Sequence, residues 1–416
     1  MNKLWIALAL ASCATLPSEA GEVRHQVESL LSDQSYSIVP HRILVKHPGI
    51  EASKPQPYSL SQHLDERGQP VGYSMVVDSV ICGDNLCKVV NVKLFWDPLG
   101  RYQRYAVADG SILEKALIDA EEDSAEEEPL LEADIGAKPV RSEDAWAAFT
   151  EDDHTKLDRI LSDQSSVLRS QALADLTGYR DKSRVDGMSG ATPLTLKQSV
   201  VEGAALSSYH LWHWANGSVV SAARKLTQQI CSEELLRDFL VKEEPHYVLF
   251  ALENLRLKEW FSPSLVQLVH QAMVVGEKEH IDLGLAYLRM ALLDVDALND
   301  ELALLFAELD GLGRLHLLGV LNEEPTISKD LLVKLSKGLK NVDTYYELHL
   351  FLGLVEKQQQ ASEGILISVS RFLENENFFI SRRAYRFLKQ QSLNQSLAKQ
   401  VAVYEAMCER ENRILN

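Results

Sequence analysis

Cysteine is scarce in this chain, five in 416 residues, and no two are spaced Cys-x-x-Cys or followed by histidine as Cys-x-x-Cys-His. That excludes covalently held haem and argues against a dithiol redox centre. The chain also lacks G-x-S-x-G, H-E-x-x-H and a Walker-type loop, and no Gly-x-Gly-x-x-Gly follows a strand. A serine hydrolase, a zincin, a nucleotide triphosphatase and a nicotinamide-dependent dehydrogenase therefore have no signature here. No catalytic residue of a self-contained substrate pocket is indicated, so a carrier is expected rather than an enzyme. Beyond the first residues no apolar run is long enough to span a bilayer. Positive charge is in deficit, with 42 Lys and Arg against 60 Asp and Glu and a formal net charge of −18. Nucleic acid is a poor partner for such a chain, because phosphate binding needs clustered cations.

What is present starts with Met1-Asn2-Lys3 and an apolar stretch from Leu4 to Ala11, the layout of a secretory signal over residues 1–20. Ser18-Glu19-Ala20 supplies small residues for cleavage after Ala20. Leu10-Ala11-Ser12-Cys13 is the alternative, a lipobox in which Cys13 is lipidated. Either route places the protein in the periplasm or on the outer side of a bacterial membrane. In that oxidising compartment Cys82 and Cys87, separated by Gly83-Asp84-Asn85-Leu86 between two β-like runs, are expected to form a disulfide across a hairpin. Cys231 and Cys408 read as small apolar helix residues that stay unpaired.

The first domain is expected over residues 21–221. A helix is expected over Val23–Leu31 and a short strand over Arg42–Val45. Pro48–Gly72, with Pro55, Pro57, Gly68 and Pro70, reads as irregular. Tyr73–Ile81, Lys88–Phe95 and Arg101–Val107 are rich in β-branched and aromatic residues and are separated by turn residues, so they predict a meander. An acidic insertion follows at 118–140. Eight acidic residues and no basic one lie between Glu121 and Asp134, a composition that stays solvated. Glu151–Leu161 predicts a helix with acidic residues in its first turn.

From residue 222 to 416 the apolar period changes to three and four. Helices come in pairs, the first members centred near Leu235, Leu265, Leu302, Leu332 and Ile365. The second members centre near Val248, Ile281, Leu315, Tyr345 and Phe379, at intervals of 33, 34, 30 and 34 residues. That period predicts a stack of helix pairs, a solenoid of HEAT-like type, with a non-repetitive bundle as the alternative.

Near the end of the first domain lies Asp186-Gly187-Met188-Ser189-Gly190-Ala191-Thr192. Small residues in Ser189-Gly190-Ala191 let backbone N–H groups approach a phosphate. Thr192-Pro193 reads as an N-cap and first helical residue, opening a long helix that runs through Trp212. The run resembles the D-x-x-[ST]-G-A-[ST] signature of the FMN-binding domain found in the flavin subunits of sodium-pumping NADH:quinone reductase and Rnf complexes. The resemblance covers roughly Tyr73 to Asn216 and is specific at these seven residues. It implies an α+β domain with a small antiparallel sheet. It also implies FMN joined covalently to Thr192 through a phosphoester, installed outside the cytoplasm by a flavin transferase that recognises Asp186, Ser189, Gly190 and Ala191. The family's membrane subunits carry a transmembrane helix that is absent here, which favours a soluble or lipid-tethered carrier.

Other constellations carry less. His210 and His213, three apart on one helix, have metal-ligand spacing without a neighbouring carboxylate or cysteine, and read as a satisfied pair with no metal. Trp212, Trp214 and Trp96 have faces suited to a flavin ring but read first as core. The expectation is thus an extracytoplasmic flavoprotein passing electrons to a redox protein or membrane electron-transfer complex that docks on its helical repeats. The alternative is a cofactor-less scaffold that binds partners through those repeats.

Overall fold

In the computed structural model the described residues are 36–48, 54–83, 86–107, 149–172, 194–359 and 361–415, with the side chains of 80–88 also outside them. The expected signal over residues 1–20 with Cys13, the expected helix at Val23–Leu31, the acidic insertion and the whole of Asp186–Thr192 lie outside the described residues. The chain divides into two compact units, Met1–Ile230 and Cys231–Asn416.

Alternating apolar residues build the first unit around a five-stranded antiparallel meander in the order β1-β2-β3-β4-β5. The strands are β1 Ser37–Val45, β2 Gln56–Leu64, β3 Pro70–Gly83, β4 Leu86–Trp96 and β5 Tyr102–Val107. Three are the expected meander. β2 falls where the prolines suggested irregular chain. Pro57 stands second in β2, opposite Leu44 of the edge strand β1, a position where a missing N–H breaks little of the ladder. The alternation of a half-buried strand is nonetheless there, since Leu60 and Gln62 are buried and Ser59 is exposed.

Leu60, Tyr73, Met75, Val77, Val90, Val92, Leu94 and Trp96 form the buried face of the sheet. Against it pack α1 (Glu151–Ser162), α3 (Ala205–Asn216) and α4 (Ser218–Ile230). The short helix α2 (Leu194–Gln198) adds Leu196 to the same core. The expected domain limit near 221 therefore falls inside α4, whose Val219, Ala223 and Thr227 are buried. A chain of hydrogen bonds fixes α4 to the sheet. The Gln62 amide donates to the Tyr73 hydroxyl, which meets Thr227 Oγ1 at 2.8 Å. Thr227 in turn donates to the Pro98 carbonyl, so the Tyr73 hydroxyl is the donor to Thr227.

The β4–β5 turn is closed by Asp97, whose Oδ1 accepts from the backbone N–H of Leu99 and Arg101. Gly100 in this turn holds φ +80°, and a Cβ there would stand 2.6 Å from the Val220 carbonyl oxygen of α4. Gly100→Ala should cost about 1–3 kcal/mol from the left-handed backbone alone. The close approach adds to that, and the loss appears as a lowered thermal midpoint; an unchanged midpoint would mean that the turn and α4 move apart freely.

The long helix expected after Pro193 is broken. α2 ends at Gln198, Gly203 turns the chain at φ +80°, and Val201 bridges Ala204 before α3 begins. Ser208 stabilises the break, its hydroxyl accepting from the Val201 N–H while donating to the Ala204 carbonyl.

The second unit comprises α5 (Glu233–Leu240), α6 (Pro245–Leu257), α7 (Pro263–Val275), α8 (Lys278–Ala291), α9 (Val295–Glu308) and α10 (Gly311–Glu323). It continues with α11 (Lys329–Gly338), α12 (Tyr345–Gln358), α13 (Glu363–Ser370), α14 (Phe378–Lys389) and α15 (Gln395–Arg410). Every expected helix centre falls inside one of these, and α15 follows as one more. Starts are set by side-chain caps such as Ser232, Asp310, Ser328, Thr344 and Asn394. Each helix packs on the one two along, odd with odd and even with even, so two rows of helices build up. Side-chain bonds between successive pairs join residues one period apart. His316 meets Asp282 across 34 residues, Arg314 meets Glu347 across 33, and Arg289 meets Glu324 across 35. Cys231 and Cys408 are buried thiols.

His270 on α7 is buried between two carboxylates of α9, with Nδ1 2.6 Å from Glu301 and Nε2 3.0 Å from Glu308. Both ring nitrogens can donate only in the imidazolium. The Glu301 hydrogen bond, against the opposing effect of burial and with help from Glu308, raises its pKa. A raised folded value means that this stabilisation is complete below the ordinary histidine pKa of about 6.5 and is lost as pH rises through the folded value. The thermal midpoint of the protein should fall between pH 6 and pH 8 by more than it does in His270→Gln. Equal slopes would remove His270 from the account.

Candidate functional site

The site can be built outward from α3, because its sequence, Ala-Leu-Ser-Ser-Tyr-His-Leu-Trp-His-Trp-Ala-Asn, buries nearly all of its circumference. A helix covered all round must find internal partners for every polar side chain. Most of them do. Trp212 Nε1 donates to the Asp163 carbonyl at 2.8 Å, the Asn216 amide to the Leu161 carbonyl at 2.9 Å, and the Tyr209 hydroxyl to the Gln171 carbonyl. His213 is hydrogen-bonded to the backbone of Leu168. On the sheet side, Trp96 Nε1 donates to the Ala215 carbonyl at 2.8 Å.

The exceptions sit together. Both ring nitrogens of His210, Nε2 of His213, Nε1 of Trp214 and Oδ1 of Asn216 have no hydrogen-bond partner among the described residues. His210 is 7 % exposed and Trp214 is 1 % exposed. Around them the His47 ring meets His210 at 6.0 Å and Trp214 at 5.5 Å between centroids, and Tyr58 meets Trp214 at 4.9 Å. Tyr209 lies 4.3 Å from His213. Each orphaned buried group costs about 1–3 kcal/mol, so the fold tolerates several such penalties within one or two side chains of each other.

Electrostatics keep the three imidazoles neutral at pH 7. Burial, then the neighbouring His47 and His213, lowers His210 to about 4. Burial also lowers His213 and His47, opposed by the Leu168 bond in the first and by Asp78 in the second. A neutral imidazole carries one donor and one bare acceptor. The cluster therefore offers a donor and an acceptor from His210 and a donor from Trp214, between aromatic faces. Such a set suits a flat ligand with polar edges. Among the described residues no group of three or more His, Cys, Asp and Glu is placed to hold a metal ion.

The chain leaves the described residues beside this cluster and returns beside it. Gln171 bonds Tyr209, and Ala172 is the last residue before the segment that carries Asp186, Ser189, Gly190, Ala191 and Thr192. After that segment α2 packs on the short 3-10 helix Val167–Ser170, which also touches α3. None of the five motif residues is itself described. Trp96, Trp212 and Trp214 are all core of the first unit, at 1–3 % exposure.

Sequence reasoning reached His210 and His213 but read them as satisfied, which His210 is not. It did not reach His47 or Tyr58. Tyr58 stands in register with Leu60 and Gln62 on β2, a signal hidden by the prolines around it. The backbone of β3 and β4 places Cys82 directly opposite Cys87, while their side chains lie outside those described. No family model, no curated protein and no solved structure matches this chain.

Proposed function

We propose that the protein is an extracytoplasmic flavoprotein that relays electrons through FMN held by a phosphoester on Thr192. The observation that carries this reading is the run Asp186-x-x-Ser189-Gly190-Ala191-Thr192. The Thr192 hydroxyl oxygen would form the ester. Ser189, Gly190 and Ala191 would present backbone N–H groups to the phosphate, and Asp186 would belong to the surface that a flavin transferase reads. FMN, when bound, supplies reversible transfer of one or two electrons. The residues beside this segment are compatible with it. A ring edged with carbonyl oxygens and nitrogens needs the kinds of partner that His210 and Trp214 leave unused.

A disulfide between Cys82 and Cys87 belongs to the same reading. Facing residues of an antiparallel ladder have Cα atoms about 4.5–5.5 Å apart, within the range that a disulfide spans. The second unit, read as a HEAT-like stack, would be the docking surface for a redox protein or membrane electron-transfer complex, because stacked helix pairs expose extended faces. Among the described residues no helix is long and apolar enough to cross a membrane.

The test is the mass of the peptide containing residues 186–192, from protein exported by a host with and without an active flavin transferase. An FMN adduct that depends on the transferase supports the reading. A bare peptide from the competent host ends it. The two rows of helices favour one alternative, a scaffold without cofactor. In that case full-length protein lacking any flavin would capture its partner as well as protein from the competent host.

A further inference from the structure

On the sheet face opposite the core, two cations share one aromatic ring. The Arg104 guanidinium lies 3.7 Å from the Phe95 centroid and the Lys93 ammonium 5.3 Å from it. The ladder explains why. Phe95 faces Arg104 across β4 and β5, Lys93 is two residues along β4 on the same face, and Ser74 of β3 faces Phe95 from the other side. His63 of β2 completes the patch, with Nε2 2.8 Å from Ser74 Oγ. Lys93, Phe95, Arg104 and His63 are all half-buried, and Ser74 is 1 % exposed.

The arrangement is costly as it stands. Burial and then Arg104 depress Lys93, and burial followed by Lys93 and Arg104 takes His63 down to about 4. Burial depresses Arg104 as well, and the one group that raises it is the Tyr102 phenol. Among the described residues no carboxylate acts on either cation, in a chain with 60 acidic residues against 42 basic. A charged surface this acidic would ordinarily pair such cations, because half-buried like charges repel more strongly than solvated ones. Since no described carboxylate neutralises them, the two cations can take their counter-charge from an anion in solution.

We propose that Lys93 and Arg104, with the Ser74–His63 pair beside them, form a binding site for the phosphate group of a small soluble phosphomonoester on the outer face of the sheet. A dianion matches the two cations in number, whereas a carboxylate neutralises one. The guanidinium offers a planar fork and the ammonium a point charge, a pairing suited to an oxyanion with several acceptor oxygens. The ring of Phe95 holds both cations in place without competing for the anion, since a cation on an aromatic face keeps its donors free at the edge. The site is independent of Thr192 and stands whether or not flavin is attached.

Inorganic phosphate is the probe, titrated at pH 7.5 into the full-length protein at constant ionic strength set with chloride. The His63 ring resonances, assigned with His63→Gln, should shift with saturation. Acetate should bind at least tenfold more weakly. Lys93→Met and Arg104→Gln should each weaken phosphate binding about tenfold or more, and the double variant should abolish it, with circular dichroism showing the variants folded. Arg42→Met, which removes an exposed cation from β1, should leave binding intact. Phosphate should also raise the thermal midpoint of the wild type and not of the double variant. Absence of a saturable shift, equal binding of acetate, equal loss in Arg42→Met, or unchanged binding in the double variant would each overturn the site.

Discussion

Thr192→Ala, produced with an active flavin transferase, should emerge with no flavin adduct and no fluorescent band after denaturing electrophoresis. The substitution removes the one oxygen able to form the ester at the last motif position while leaving the small residues before it in place. Thr192→Ser keeps a hydroxyl one methyl smaller and should retain the adduct. Ser189→Ala and Thr195→Ala remove the neighbouring hydroxyls and should retain an adduct, with Ser189→Ala lowered because it also alters the surface read by the transferase. The effect at Thr192 is all-or-none, since a covalent link either has an acceptor or lacks one. An adduct that survives Thr192→Ala unchanged would move the attachment to another hydroxyl. If no variant and no wild type carries flavin, the redox reading is lost and the helical unit alone remains to be explained. Purified Thr192→Ala should keep the thermal midpoint of the wild type made without transferase, which separates loss of attachment from loss of fold.

The second large effect belongs to the helical unit. Glu347 is completely buried at the start of α12, and its Oε1 takes a 2.6 Å bond from Nε of Arg314 on α10. Its Oε2 accepts from the Thr344 N–H at 3.1 Å and hydroxyl at 2.6 Å, and Arg314 also donates to the Leu309 carbonyl. Burial by itself would push the Glu347 carboxyl up. The Thr344 and Arg314 bonds outweigh it and hold the group below its ordinary value. Arg314→Ala leaves that carboxylate buried and unpaired, a loss of about 3–5 kcal/mol. In a unit of this size that lowers the thermal midpoint by roughly 10 °C. Arg314→Met with Glu347→Leu removes both charges and should recover most of the loss, because desolvating the pair costs nearly as much as its attraction returns. A depressed carboxyl stabilises above the ordinary pKa and loses its effect as pH falls through the folded value. The wild-type advantage over Arg314→Ala should therefore shrink in acid. A loss under about 1 kcal/mol at pH 7 would show that water reaches Glu347 in solution.

Legibility in the sequence followed the range of the interactions. β3, β4 and β5 announced themselves because alternation over six or more residues is a local pattern, read along one strand. β2 carried the same alternation at Tyr58, Leu60 and Gln62, but Pro55 and Pro57 outweighed it; only pairing with β1 and β3 shows that the chain there is extended. The stretch after Thr192-Pro193 reads as one continuous helix because Val200, Val201, Ala204 and Ala205 keep a helical period through the break. Gly203 was the one visible sign of a turn, and a glycine inside a helical pattern has no direction of its own. The partners of His210 are hidden from the sequence for a different reason. A histidine three residues from another suggests partners on its own helix, whereas the ring that folding brings against it is His47, just past the end of β1.

The amino-acid order by itself determined the meander, the helix pairs with their period, and the seven-residue segment ending at Thr192, since each is written in neighbouring residues and local backbone preference. Tertiary structure decided which groups are stranded without partners and which charges meet. Among the described residues His210 is orphaned, Arg104 and Lys93 share Phe95, and Arg314 reaches Glu347 across 33 residues. Burial and pairing are properties of the space between distant segments, and the desolvation that makes them costly or useful exists only once that space has closed.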